Sequence, residues 1–193
     1  MTISPLRFEP IYQYRLWGGR RLYGLLSAPL PGSGPIGEAW VLSDRDDHPS
    51  IVANGRLKGR SVVQVLEPFP KQMMGELDGR FRRFPLLACI YFAEHPAGRV
   101  TPVMEGTAPV ECERVFHCEY FRLWRLHGHS PFSVGAAGVP RILVCLECAG
   151  QLEHGGATDA IGKGDVSLLP AVTGACTFRP SGPVSVLEIA IPE

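Results

Sequence analysis

Gly162-Lys163-Gly164-Asp165-Val166-Ser167-Leu168-Leu169-Pro170 is the stretch on which the fold turns. The glycines supply a tight turn, four residues of strand character follow, and Pro170 has no N–H to give to a ladder, so the strand stops there. Working outward, the same short unit recurs on both sides. Residues 115–118, 121–126, 142–147 and 151–154 come before it, and 176–178 and 184–191 after it. Between them lie Gly135-Ala136-Ala137-Gly138, His154-Gly155-Gly156 and Pro180-Ser181-Gly182-Pro183. Short, evenly spaced strands with turn residues between them predict a mostly β fold, a β-sandwich or jelly roll.

The N-terminal half is less regular. Residues 38–43 and 51–53 read as short strands, the second closed by the turn Asn54-Gly55. Ser61 is placed to cap a short helix that ends near Leu66, before Pro68, and 71–77 suggests another. Residues 1–34 read as irregular, with a short helix near 20–26 and a Pro/Gly loop from Ala28 to Pro35. The continuous apolar run 84–92 suits a buried strand, and 97–111 reads as a connector. The expected organisation is a segment 1–95, a connector 96–114 and a strand-rich unit 115–193, packed as one body. With 22 glycines and 18 prolines among 193 residues, long helices are disfavoured, so the few helices are short and lie in the N-terminal half.

Composition narrows the function. Nineteen basic residues balance nineteen acidic ones, so no basic surface for nucleic acid is expected. No apolar run reaches the roughly twenty residues of a membrane span, and the first ten residues carry Arg7 and Glu9 and no apolar leader core. A cytoplasmic protein without membrane contact is expected, and its six cysteines then read as buried thiols.

Two regions carry a resemblance. The first holds Phe8-Glu9-Pro10-Ile11-Tyr12, Leu16-Trp17-Gly18-Gly19-Arg20-Arg21-Leu22, Ile36-Gly37-Glu38-Ala39-Trp40, Val52-Ala53-Asn54-Gly55 and Phe84-Pro85-Leu86-Leu87. The second holds Arg99-Val100-Thr101-Pro102-Val103, Cys118-Glu119-Tyr120-Phe121, Leu143-Val144-Cys145-Leu146-Glu147 and Gly164 to Pro170. In this order they resemble the two ends of class I mannose-6-phosphate isomerases, zinc-dependent cupin enzymes. The resemblance implies a cupin-like jelly roll and a family reaction between mannose 6-phosphate and fructose 6-phosphate. It also implies a departure. In the family, Phe-Pro-Leu-Leu leads to a Gln-Val-His-Pro strand, a Glu motif, a helical insertion, and a further His and Arg. Here Leu87 runs into Ala88-Cys89-Ile90-Tyr91-Phe92. No metal ligand or catalytic residue carries over, no cofactor is expected, and activity is expected to be lost. The alternative is a non-catalytic cupin that binds a sugar phosphate or forms an interaction surface such as a homodimer.

The chain's own donors supply a few candidate site residues. His127 and His129, at i and i+2, would share a face if both lay on a strand, a weak metal candidate; exposed turn histidines are the plainer reading. Glu94-His95-Pro96 reads as loop. Cys145 and Cys148 fall on opposite faces of an unbroken strand and read as core thiols. Cys112, His117 and Cys118 lack a fourth ligand nearby. Gly18-Gly19-Arg20-Arg21 could hold a phosphate or be a plain turn. Trp17, Arg20 and Glu38 are the substrate-binding candidates; Trp17, Trp40 and Trp124 otherwise read as packing residues, and Glu38 as a structural hydrogen-bond partner. Arg80, Arg82 and Arg83 read as a solvated face.

Overall fold

The computed structural model describes residues 3–20, 31–75 and 100–191. The first elements are β1 (Leu6–Arg7), β2 (Ile11–Gly19), β3 (Ile36–Trp40), β4 (Asp44–Arg45) and β5 (His48–Pro49). Two short helices follow, α1 (Val62–Leu66) and α2 (Pro70–Met74). Then come β6 (Val103–Gly106), β7 (Glu111–His117), β8 (Arg122–Gly128), β9 (Phe132–Val134) and β10 (Arg141–Glu147). The last are β11 (Ala149–His154), β12 (Ala157–Gly162), β13 (Val166–Leu169), β14 (Cys176–Pro180) and β15 (Val184–Ala190).

Seven of these strands form one antiparallel sheet in the order β1-β13-β10-β15-β8-β7-β6, and four form a second in the order β12-β11-β14-β9. The two sheets face each other across a core of Leu126, Phe132, Val134, Leu143, Leu152, Phe178 and Val186. Phe132 and Phe178 stack with centroids 5.2 Å apart. The outer face of the large sheet is covered too, at the β1-β13-β10 end. There Ile142 and Leu168 meet Leu6, Phe8, Val52, Val62, Val65 and Met73. Burial on both faces explains why β10 reads as an almost unbroken apolar run rather than an alternating one.

Local chemistry ties the N-terminal residues to this frame. Ser61 accepts from Gln64 N–H at 3.2 Å, and the Gln64 side chain accepts from Ser61 N–H at 3.0 Å, the reciprocal cap that starts α1. Buried Asn54 accepts from Arg7 N–H at 2.8 Å and donates to the Pro5 carbonyl at 3.0 Å, so one side chain holds the chain on either side of Leu6.

Several expectations need correction. Of the stretch 1–34 expected to be irregular, the described residues 3–20 are not: they contain β1 and the nine-residue β2. The alternation of Tyr12, Tyr14 and Leu16 is there, but Arg15 and the glycines at 18 and 19 obscure it. The connector 96–114 includes β6 and the start of β7, which pair at one edge of the large sheet. Residues 51–53 form two isolated bridges, Phe8–Val52 and Ile51–Ser61, rather than a strand. The expected helix over 71–77 starts earlier, at Pro70, and its expected last residues fall outside the described range. The expected helix near 20–26, the apolar run 84–92, His95 and Arg80 to Arg83 lie wholly or almost wholly outside the described residues.

Candidate functional site

Directly paired residues on neighbouring strands point to the same face of a sheet. On the inner face of the large sheet this rule builds successive rows. The deepest row is apolar: Cys112, Leu126, Val186 and Cys145. The next runs Arg114, Trp124, Glu188 and Leu143, and the last His117, Arg122, Ala190 and Arg141. The face therefore passes from hydrocarbon to guanidinium, indole and carboxylate within two steps along the strands.

The polar rows are held by specific contacts. Glu188 Oε1 accepts from Gly135 N–H at 3.1 Å and lies 3.4 Å from Arg141 Nε, with both side chains close to nine-tenths buried (13% and 14% exposed). Burial pushes the Glu188 carboxyl above its ordinary range, against the opposing pull of the Gly135 N–H and Arg141. Burial, then the Glu188 charge, pushes the Cys176 thiol up to about 11. Trp124 Nε1 donates to Glu105 Oε2 at 2.8 Å, and the other Glu105 oxygen lies 2.8 Å from Arg114 Nε. Arg114 Nη1 sits 3.1 Å from His117 Nδ1, and Arg122 Nε donates to His117 Nε2 at 3.3 Å. On the opposing sheet His154, almost fully buried, meets Asp159 at 2.9 Å.

The residues singled out from sequence land elsewhere. His127 pairs with Glu111 and Ser185 on the outer face, and His129 is exposed beyond the end of β8. Glu38 grips Arg15 through both oxygens, at 3.2 and 3.0 Å, and accepts from Trp40 Nε1 at 2.9 Å. Arg20 donates to the carbonyls of Gly32 and Gly34, at 2.8 and 3.4 Å, and so fastens a turn. Trp17 is 69% exposed, which corrects its reading as a packing residue: at this point β2 pairs only with β3 and nothing covers its outer side among the described residues. Cys145 and Cys148, read as thiols, are paired as a disulfide.

The polar rows are only partly legible in the sequence. Glu188 follows Val184 and Val186 at period two, which places a carboxylate on a buried face. Arg122 and Trp124 precede Leu126 in the same way. Arg114 and His117, three apart, gave no such signal, because the bulge that brings them together leaves no mark in the sequence.

Zinc, which the resemblance implies, needs about three convergent protein donors. Among the described residues no group of three His, Cys, Asp or Glu side chains meets in a way that could hold a metal ion. The deep part of the space between the sheets is lined by Leu126, Leu143, Phe132 and Phe178, none of which can ligate a cation. The described residues do not fit the metal.

Two facing antiparallel sheets with this strand order define a cupin-like β-sandwich. The chain's homologues are mannose-6-phosphate isomerases, each matched over part of its length. Mannose-6-phosphate isomerase ManA of Bacillus subtilis is 30% identical over 128 residues, 62% of this chain and 39% of that protein. Across the three curated relatives, the match takes in only 25% to 39% of their own length. A solved structure of the mannose 6-phosphate isomerase from Bacillus subtilis superposes with a TM-score of 0.76 at 14% identity, covering 98% of this chain and 100% of that one, which establishes the fold. No protein-family model matches the chain. No helix among the described residues is long and apolar enough to cross a membrane.

Proposed function

We propose that this protein is a cupin derived from the isomerases that binds a sugar phosphate without interconverting its aldose and ketose forms. The observation that carries the reading is the polar end of the inner face, where Arg114, Arg122, Arg141, Trp124 and Glu188 stand in two adjacent rows above an apolar floor. A hexose phosphate needs donors for the phosphoryl oxygens, acceptors for hydroxyls and an apolar plane for the ring's C–H face. Guanidinium groups, carboxylates and an indole supply these in turn. The loss of turnover rests on the sequence: the chain carries no counterpart of the family's Gln-Val-His-Pro strand and the Glu motif after it.

Calorimetric titration with mannose 6-phosphate and fructose 6-phosphate, beside an isomerase assay with zinc added, tests both halves. Binding without turnover is the expected result. Zinc-dependent turnover abolished by a chelator would overturn the non-catalytic half, and no heat with either sugar phosphate at millimolar concentration would overturn the binding half.

A further inference from the structure

Where the last two rows of the inner face meet, two guanidinium groups address one imidazole. Arg114 Nη1 and Arg122 Nε address the two ring nitrogens of His117, at 3.1 and 3.3 Å. A neutral imidazole has one lone pair and one N–H, so it can accept from only one of the two guanidinium groups. At the other, N–H faces N–H. A protonated imidazole accepts from neither. No protonation state of His117 satisfies both arginines, so at least one donor of this exposed cluster is left for water or a solute to accept from.

The juxtaposition is built by the backbone. Positions three apart on a regular strand point to opposite faces. Here β7 slips against β8 between Arg114 and Phe116: Arg114 pairs with Trp124, while Phe116 pairs with Leu123. Val115 is the additional residue, and the bulge returns His117 to the face of Arg114. Charge points the same way. The polar end of this face carries Arg114, Arg122 and Arg141 against the carboxylates of Glu105 and Glu188. It is cationic within a chain of zero formal charge. His117 is exposed, so a solute can reach the cluster.

We propose that Arg114, His117 and Arg122 form an oxyanion subsite that takes the phosphoryl group of a phosphomonoester. The proposal deepens the sugar-phosphate reading above and rests on it for the rest of the ligand. The phosphoryl oxygens accept from Arg114 Nη1, Arg122 Nε and an imidazole N–H, which gives every facing donor an acceptor. Glu105 keeps Arg114 and Trp124 in place from the side.

The test is calorimetric titration of the full chain with inorganic phosphate, and separately with mannose 6-phosphate, for wild type, Arg122→Gln, His117→Gln and the outer-face control Arg125→Gln. Arg125 is paired with Glu113 at 2.7 Å on the far side of the sheet. The expected result is phosphate binding that falls about tenfold or more in Arg122→Gln and His117→Gln, the loss of one charge-assisted contact, and is unchanged in Arg125→Gln. Imidazole 15N resonances of His117 should shift on adding phosphate to the wild type, which reports the contact without any variant. Equal weakening in Arg125→Gln, or no binding of phosphate, overturns the subsite. If mannose 6-phosphate binds undiminished to Arg122→Gln and His117→Gln, the sugar-phosphate reading stands and the subsite falls. If phosphate binds as expected but no hexose phosphate does, the subsite stands and the wider reading falls.

Discussion

Cys145 and Cys148, three residues apart, are bridged across a slip in the ladder, with Cα atoms 5.7 Å apart. Cys145 pairs with Val186 while Glu147 pairs with Ser185, so Leu146 is the additional residue on β10. The bulge turns the second cysteine back to the face of the first, and the separation lies within disulfide range. Thiol titration of the denatured chain should therefore count two more thiols after reduction than before. An unchanged count would show that both cysteines are free. Serine at either position should abolish the increment and leave the sheet intact by circular dichroism.

Glu188 links stability to pH. Its carboxyl is raised by burial, so the folded state holds its proton after the unfolded chain has released it. The stability tied to that proton is fully present below the ordinary glutamate value of 4.5 and is lost as pH rises through the folded value. Glu188→Gln cannot ionise. The urea midpoint of wild type relative to Glu188→Gln should thus decline as pH climbs from below 4.5 toward neutrality. A difference that stays flat or grows would mean that Arg141 and the Gly135 N–H outweigh burial.

The two bulges also mark where the sequence stopped being informative. The β-sandwich was legible because turn residues and short apolar units recur at even intervals from 115 onward. Glu188 was legible in principle, one carboxylate in the inward register of Val184 and Val186. A bulge leaves no comparable trace. Read as regular strands, Arg114 and His117 fall on opposite faces, as do Cys145 and Cys148, and both pairs are lost. The N-terminal misreading has another cause. β2 pairs only with the short β3, so Tyr14, Leu16 and Trp17 stand exposed and polar residues interrupt the pattern that would mark a buried strand.

Asn54 is the second stability determinant, and it acts on the N-terminal residues. Replacing it with alanine leaves the Arg7 N–H and the Pro5 carbonyl without their partner, which costs about 1–3 kcal/mol. Urea denaturation should show that loss, and amide exchange at Arg7 should quicken. Asn54→Asp keeps an acceptor for Arg7 and loses the donor to Pro5, so its exchange at Arg7 should stay near wild type while its stability falls between the two. Rapid exchange in the aspartate variant would place the hold at Pro5 instead.

Phe178 occupies the centre of the core between the two sheets, fully buried, stacked on Phe132 and paired on β11 with Leu152. Truncation to alanine removes its transfer free energy and opens a cavity that the flanking strands cannot close, a loss of about 3–5 kcal/mol. Stabilities of small domains run to about 5–15 kcal/mol in total, so the variant should melt far below wild type. Val103→Ala, at a half-exposed position on edge strand β6, is the control and should change stability by about 0.5 kcal/mol or less. Matched urea denaturations compare the two. Equal small losses would mean that the facing sheets are not packed through Phe178, and that the polar rows beside it are not set by a rigid core.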